Sequence, residues 1–173
     1  MAAADRRLRI DARSLLAQPG LEREIDLDLP PEDLGLDDER IVGPIEVRLT
    51  VTSNLDGIIV GGTGAIPWRA SCRRCLVEAI GSTVVDVDEF YRRAADAGAG
   101  GDAFPIEGDQ VDLHPAVREA VLLELPDDVL CSQNCAGICP QCGSDRNTAP
   151  CACDLSVRDD RWSALDALRD DGA

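Results

Sequence analysis

Ile45-Glu46-Val47-Arg48-Leu49-Thr50-Val51-Thr52 puts every apolar side chain on one parity and every polar side chain on the other. A period of two is that of a β-strand with one face buried and the other in water. Working outward, Asn54–Gly57 has the composition of a tight turn, and Ile58–Val60 begins a second strand. Gly61, Gly62 and Gly64 are read as an interruption, after which Ile66, Trp68, Ala70 and Cys72 resume the alternation. Thr83–Phe90 supplies a third strand. Upstream, Ile25, Leu27 and Leu29 alternate with Glu24, Asp26 and Asp28 until Pro30-Pro31 stops the pattern, and Leu8 and Ile10 alternate with Arg7, Arg9 and Asp11. Ser14-Leu15-Leu16 reads as a capped turn or short helix, and residues 32–43 as an acidic loop. Strands joined by short turns predict an antiparallel β meander or partial barrel, half open to solvent.

Residues 94–110 are small and acidic without periodicity, which predicts a flexible linker. Asp112 is placed to cap a helix with Pro115 in its first turn. Leu113, Val117, Val121 and Leu125 recur at four-residue steps, and Leu122 and Leu123 broaden the stripe, so the helix is expected to bury deeply on the sheet. His114 is the one histidine; no Ser, Cys or carboxylate constellation flanks it, and it reads as structural or solvated. The expected class is α+β: a β-rich core over residues 1–126 and a cysteine-rich appendage over 127–173. The appendage ends in a short helix from Asp159, whose stripe Trp162, Leu165 and Leu168 docks on the protein's own core or on a partner.

Six of the eight cysteines, Cys131, Cys135, Cys139, Cys142, Cys151 and Cys153, crowd into residues 131–153, CSQNCAGICPQCGSDRNTAPCAC. Cys139-Pro140-Gln141-Cys142-Gly143 places two thiolates where one metal ion can take both from a tight turn, with Gly143 free to adopt a positive φ. Zn²⁺ takes four N or S ligands in a tetrahedron, and four of these six sulfurs satisfy it without histidine. A structural zinc site is therefore expected. Cys72 and Cys75 form another C-x2-C pair, which can share that shell with Cys139 and Cys142, form a second, incomplete site, or serve as small core residues. A disulfide framework, a thioredoxin-like redox pair and an iron–sulfur cluster are the competing chemistries. The N-terminus, MAAADRRLRI, has no apolar signal core and no apolar run is long enough to span a membrane, which points to a cytoplasmic chain in which stable disulfides are disfavoured.

The net charge is −16, and every basic residue is an arginine. Residues 1–64 carry 13 acids and 7 arginines, residues 65–93 carry 4 acids and 5 arginines, and residues 94–173 carry 16 acids and 5 arginines. Such a surface repels phosphate backbones and attracts basic partners. The exception is Trp68-Arg69-Ala70-Ser71-Cys72-Arg73-Arg74-Cys75, where Arg69, Arg73 and Arg74 either meet an anionic partner or pair with the protein's own carboxylates.

R-x2-C-R-R-C-L at residues 69–76, D-L-H-P-A-V-R-E-A-V-L-L-E-L-P at 112–126, L-C-x3-C-x-G-I-C-P-x-C-G at 130–143 and D-R-W-S-A-L-D-A-L-R at 160–169 together resemble the YceD family, known as large ribosomal RNA subunit accumulation proteins. The resemblance implies a role in ribosome biogenesis, supporting accumulation of 23S ribosomal RNA, in a family whose gene commonly neighbours that of a small zinc-ribbon protein of the large subunit. It further implies that the Cys72/Cys75 pair need not depend on the later cluster, because many members keep the pair without it. Asp145-Arg146-Asn147 departs from the leucine-asparagine pair usual after the knuckle and bears on the local turn. Two readings follow. In one, the chain is a non-enzymatic assembly factor whose partners are a basic ribosomal protein of the large subunit, the 23S precursor, or both, with Arg69, Arg73, Arg74 and Trp162 at the contact. In the other it is a zinc-dependent or thiol-redox enzyme; a run so rich in sulfur tends to close the shell that catalytic zinc leaves open, and neither a nucleotide loop nor an acid/base pair is visible in the sequence.

Overall fold

The strand read at Ile45–Thr52 is present as Ile45–Ser53, with Ile45, Val47, Leu49 and Val51 buried and Glu46, Arg48 and Thr50 exposed. The structure, a computed structural model, describes residues 4–93, 103–155 and 161. Their elements in chain order are α1 (Ala4–Arg7), β1 (Arg9–Asp11), α2 (Ala12–Leu16), β2 (Glu22–Leu29), a 3₁₀ turn (Pro31–Leu34), β3 (Ile45–Ser53), β4 (Ile58–Ser71), β5 (Glu78–Arg93), β6 (Phe104–Ile106), β7 (Gln110–Asp112) and α3 (His114–Glu124). The class is α+β. The chain divides into two compact units, one of Met1–Ala70 with Glu78–Val129 and the other of Ser71–Val77 with Leu130–Ala173.

The first unit holds both sheets. Five strands form an open sheet in the order β2-β3-β4-β5-β6, and β1 pairs antiparallel with β7. The antiparallel register of β2 on β3 sets Ile25 opposite Leu49, Leu27 opposite Val47 and Leu29 opposite Ile45, so the apolar parities of the two strands share one face. That face and α3 build the core, where Leu8, Leu29, Ile45, Ile58, Ile66 and Leu113 are fully buried. Each such side chain contributes about 1.5–3 kcal/mol. Among the described residues Tyr91 is the largest fully buried side chain.

Four expectations change. β4 runs unbroken through Gly61, Gly62 and Gly64. A Cβ on Gly62 would lie 2.1 Å from the Arg48 carbonyl oxygen, so this glycine permits close approach of β3 and does not end the strand. The second half of the expected linker is structured, carrying β6 and the start of β7. β6 pairs parallel with β5, Tyr91 opposite Phe104, the two rings stack at 5.3 Å, and Ile106 is buried; three residues are too few to show a period. The remainder of that segment, residues 94–102, lies outside the described residues. Helix α3 packs on β5 through Leu113, Val117, Val121 and Leu125, but Leu122 and Leu123 are exposed, so its buried stripe is narrower than expected. Asp112 acts at the helix start from one residue further out: its carboxylate accepts the His114 N–H at 2.9 Å, and the N-cap residue is Leu113.

Candidate metal centres

The second unit is built from two turns of the same design. In Cys72–Val77, the Cys72 N–H donates to the Val77 carbonyl and the Leu76 N–H to the Cys72 carbonyl, both at 2.8 Å. In Cys139–Ser144, the Cys139 N–H donates to the Ser144 carbonyl and the Gly143 N–H to the Cys139 carbonyl, again at 2.8 Å. Each turn brings the sulfurs of a C-x2-C pair to one side. The residue after the second cysteine takes a left-handed backbone in both, φ +73° at Gly143 and φ +63° at Leu76. Glycine does so freely, whereas a leucine there costs on the order of 1–2 kcal/mol.

The sulfurs form two groups of four. Cys72, Cys75, Cys131 and Cys135 lie within 4.8 Å of one another, and so do Cys139, Cys142, Cys151 and Cys153. In the first, Cys72 Sγ is 3.8 Å from Cys135 Sγ and Cys75 Sγ is 3.5 Å from Cys131 Sγ. Each group offers a complete four-thiolate shell, and each could hold a metal ion. All eight cysteines are free thiols. The first group is the more enclosed, with Cys72, Cys75 and Cys135 buried; in the second only Cys139 is, and Cys142 is exposed.

Electrostatics favour a cation. The backbone N–H of Cys131, helped by those of Cys75 and Arg74 against the effect of burial, draws the Cys72 thiol down to about 6. The Ser144 hydroxyl and N–H, with the thiols of Cys139 and Cys153, do the same for Cys142, also to about 6. Other sulfurs of each group resist. The Val77 N–H favours a thiolate at Cys75, but burial and the thiols of Cys131, Cys72 and Cys135 push it up to about 12. Cys142 and Cys139, together with burial, hold Cys153 up at about 12. Four sulfurs this close cannot all ionise alone; a divalent cation among them supplies the charge that lets them.

The surroundings orient the sulfurs. Asn147 Nδ2 donates to Cys135 Sγ at 3.4 Å and to Asp145 Oδ1 at 2.7 Å, while its Oδ1 accepts the Ala136 N–H at 2.7 Å. The Arg74 guanidinium donates to the Cys135 carbonyl at 3.0 Å, and the Arg74 carbonyl accepts the Ile138 N–H at 2.9 Å. Thus the Asp145-Arg146-Asn147 stretch forms a turn, closed by Thr148 and Ala149 N–H groups on the Asp145 carbonyl. Sequence reasoning names Asn147 only for the local turn and does not reach its contact with Cys135, and it misses Ser144 and Leu76. Ser144 carries no spacing signature, and Leu76 stands where the matching turn has Gly143, a signal that a comparison of the two C-x2-C pairs gives.

The structure distributes the sequence-predicted residues as follows. Cys131 and Cys135 go to Cys72 and Cys75, leaving Cys139, Cys142, Cys151 and Cys153 as a self-sufficient set; the pairing of Cys72/Cys75 with Cys139/Cys142 does not occur. The 71–77 loop, read with the sheet, belongs to the second unit because its two sulfurs close that unit's first group. Arg69 stays in the first unit and pairs with Glu78 at 3.6 Å, so the arginine strip is divided between the units. Trp162 lies outside the described residues. No helix among the described residues is long and apolar enough to cross a membrane.

Residues 60–169 match the family described as Large ribosomal RNA subunit accumulation protein YceD. Uncharacterised proteins of Mycobacterium bovis and Mycobacterium tuberculosis are each 32% identical over 125 residues, 70% of this chain and 60% of the relative. The chain thus spans less than two thirds of the length of these curated relatives. A chloroplastic protein of Arabidopsis thaliana, Large ribosomal RNA subunit accumulation protein YCED homolog 1, is 31% identical over 67 residues, 39% of this chain and 21% of the relative. No solved structure gives a significant match. The family match extends over most of the chain, taking in both cysteine turns, β5 and α3, and on that basis the chain belongs to the YceD family.

Proposed function

We propose that this chain is a non-enzymatic ribosome-biogenesis factor of the cytoplasm, supporting accumulation of 23S ribosomal RNA and the large subunit, and that two structural zinc ions hold its second unit. Membership of a family named for large-subunit ribosomal RNA accumulation supports the role. The observation that carries the mode of action is the segregation of charge. The first unit has 26 acids against 11 arginines and the second 7 against 6, so nearly all of the net −16 sits on the sheet unit. A surface of that sign engages a basic ribosomal protein and shields it from premature RNA contact. Arg73 and Arg74, with Arg69 and Trp162, are the residues proposed to meet the ribosomal RNA precursor. Zinc is the metal favoured by closed four-sulfur shells, in which no position is left for a substrate.

A pulldown from cell extract at low and moderate salt, with and without ribonuclease, tests this. Large-subunit proteins that stay bound after ribonuclease and elute with salt are the expected result. Recovery lost entirely to ribonuclease contradicts the shielding role.

A further inference from the structure

The turn Cys72–Val77 carries a feature that its counterpart does not need. Gly143 shows that glycine satisfies the hydrogen-bonded geometry, yet the equivalent position holds Leu76, in the left-handed region and 64% exposed, followed by Val77 at 52%. A side chain that strains the backbone and stays in water contributes nothing to folding, and such outliers gather where a ligand is clamped. We propose that the tip formed by Arg73, Leu76 and Val77 is a contact surface for single-stranded RNA; this deepens the assembly-factor reading and rests on it for the choice of anion.

Charge selects the class of partner. Ser71–Val77 holds Arg73 and Arg74 and no acid, the reverse of a chain at −16. Arg74 is anchored on the Cys135 carbonyl at 3.0 Å, which holds its positive charge within the same unit. The acids are concentrated on the other unit, 26 of 33. Arginines that neighbour an exposed apolar pair in one short turn suit a strand whose bases are unstacked: phosphates take the arginines, and a base face covers Leu76 and Val77. A duplex keeps its bases inside and offers Leu76 nothing to cover.

The test uses the full, zinc-loaded, reduced chain and a short fluorescein-labelled single-stranded RNA of mixed sequence, read by anisotropy, with a duplex of the same length and an acidic peptide as comparators. Leu76→Gly relieves the strain, so it is expected to keep its metal, unfold at the same or a higher temperature, and bind the single strand about tenfold more weakly. Arg73→Ala is expected to flatten the salt dependence by about 0.7 in the log–log slope. Unchanged affinity in Leu76→Gly, equal binding of the duplex, no binding of RNA by the parent chain, or preference for the acidic peptide overturns the proposal. Capture of ribosomal proteins after ribonuclease does not depend on Leu76, so the tip can fail while the shielding role stands.

Discussion

The sulfurs of Cys72 and Cys135 lie 3.8 Å apart although 63 positions of sequence separate them. A metal held there closes a loop that contains β5, β6, β7 and α3, whereas the second group draws only on residues 139–153. Unequal consequences follow for the two centres. Cys72→Ser is expected to bind one ion per chain in place of two and to lower the unfolding midpoint clearly. Cys139→Ser is also expected to bind one ion, but to loosen only residues 139–153, with amide protection of β3, β4 and β5 unchanged, because their core is made of apolar contacts among themselves and α3. Native mass spectrometry and hydrogen exchange check both; loss of the sheet's far-UV signal in Cys139→Ser would show that the sheet leans on the second centre.

Asn147 holds the Cys135 sulfur from outside the ligand shell. Asn147→Ala leaves all eight cysteines in place, so two ions still bind, with the affinity of the first centre reduced about 10–100-fold. Chelator competition with mass detection of the remaining ion reads this directly.

Trp68 lies over Gly81: a Cβ there would come 2.4 Å from the indole Cζ2, and the indole N–H is fixed by a 2.9 Å bond to Thr83 Oγ1. Gly81→Val forces the ring out of its place and is expected to destabilise the first unit by about 1–3 kcal/mol. Urea unfolding followed by tryptophan fluorescence measures the change.

Tyr91 is the sole tyrosine, so absorbance near 295 nm follows its ionisation alone. Burial, and then the charges of Glu89, Asp112 and Glu119, raise it well above the ordinary range, while its hydroxyl donates to the Asp112 carbonyl at 3.1 Å. The folded state holds this proton more tightly than the unfolded one. Its contribution to stability is therefore full below about pH 10 and falls above it, as the unfolded chain ionises first, by up to about 1.4 kcal/mol per pH unit. The expected titration shows no phenolate until unfolding; a normal phenolate curve on a folded chain contradicts it.

Legibility followed the range of the interactions. Period-two alternation at Ile25–Leu29 and Ile45–Thr52 named the strands and their buried faces, and the four-residue spacing of Leu113, Val117, Val121 and Leu125 named the buried line of α3. Strand β6 escaped because its place depends on Tyr91 across the sheet. At the cysteines, spacing identified the C-x2-C turns and the abundance of thiolates, but the partition into two groups depends on the path of the chain between Val77 and Leu130, which no local pattern encodes. The same limit applies to Arg69 and Arg74: two arginines of one basic stretch end up holding Glu78 in one unit and the Cys135 carbonyl in the other.

Two closed four-thiolate centres are the foundation of this account, and metal content tests them most directly. Elemental analysis of the purified, reduced chain, paired with native mass spectrometry and thiol counting, is predicted to give two zinc ions per chain and no disulfide. A metal-free chain with its thiols joined in pairs, or one that saturates at a single ion shared among all eight sulfurs, would contradict it.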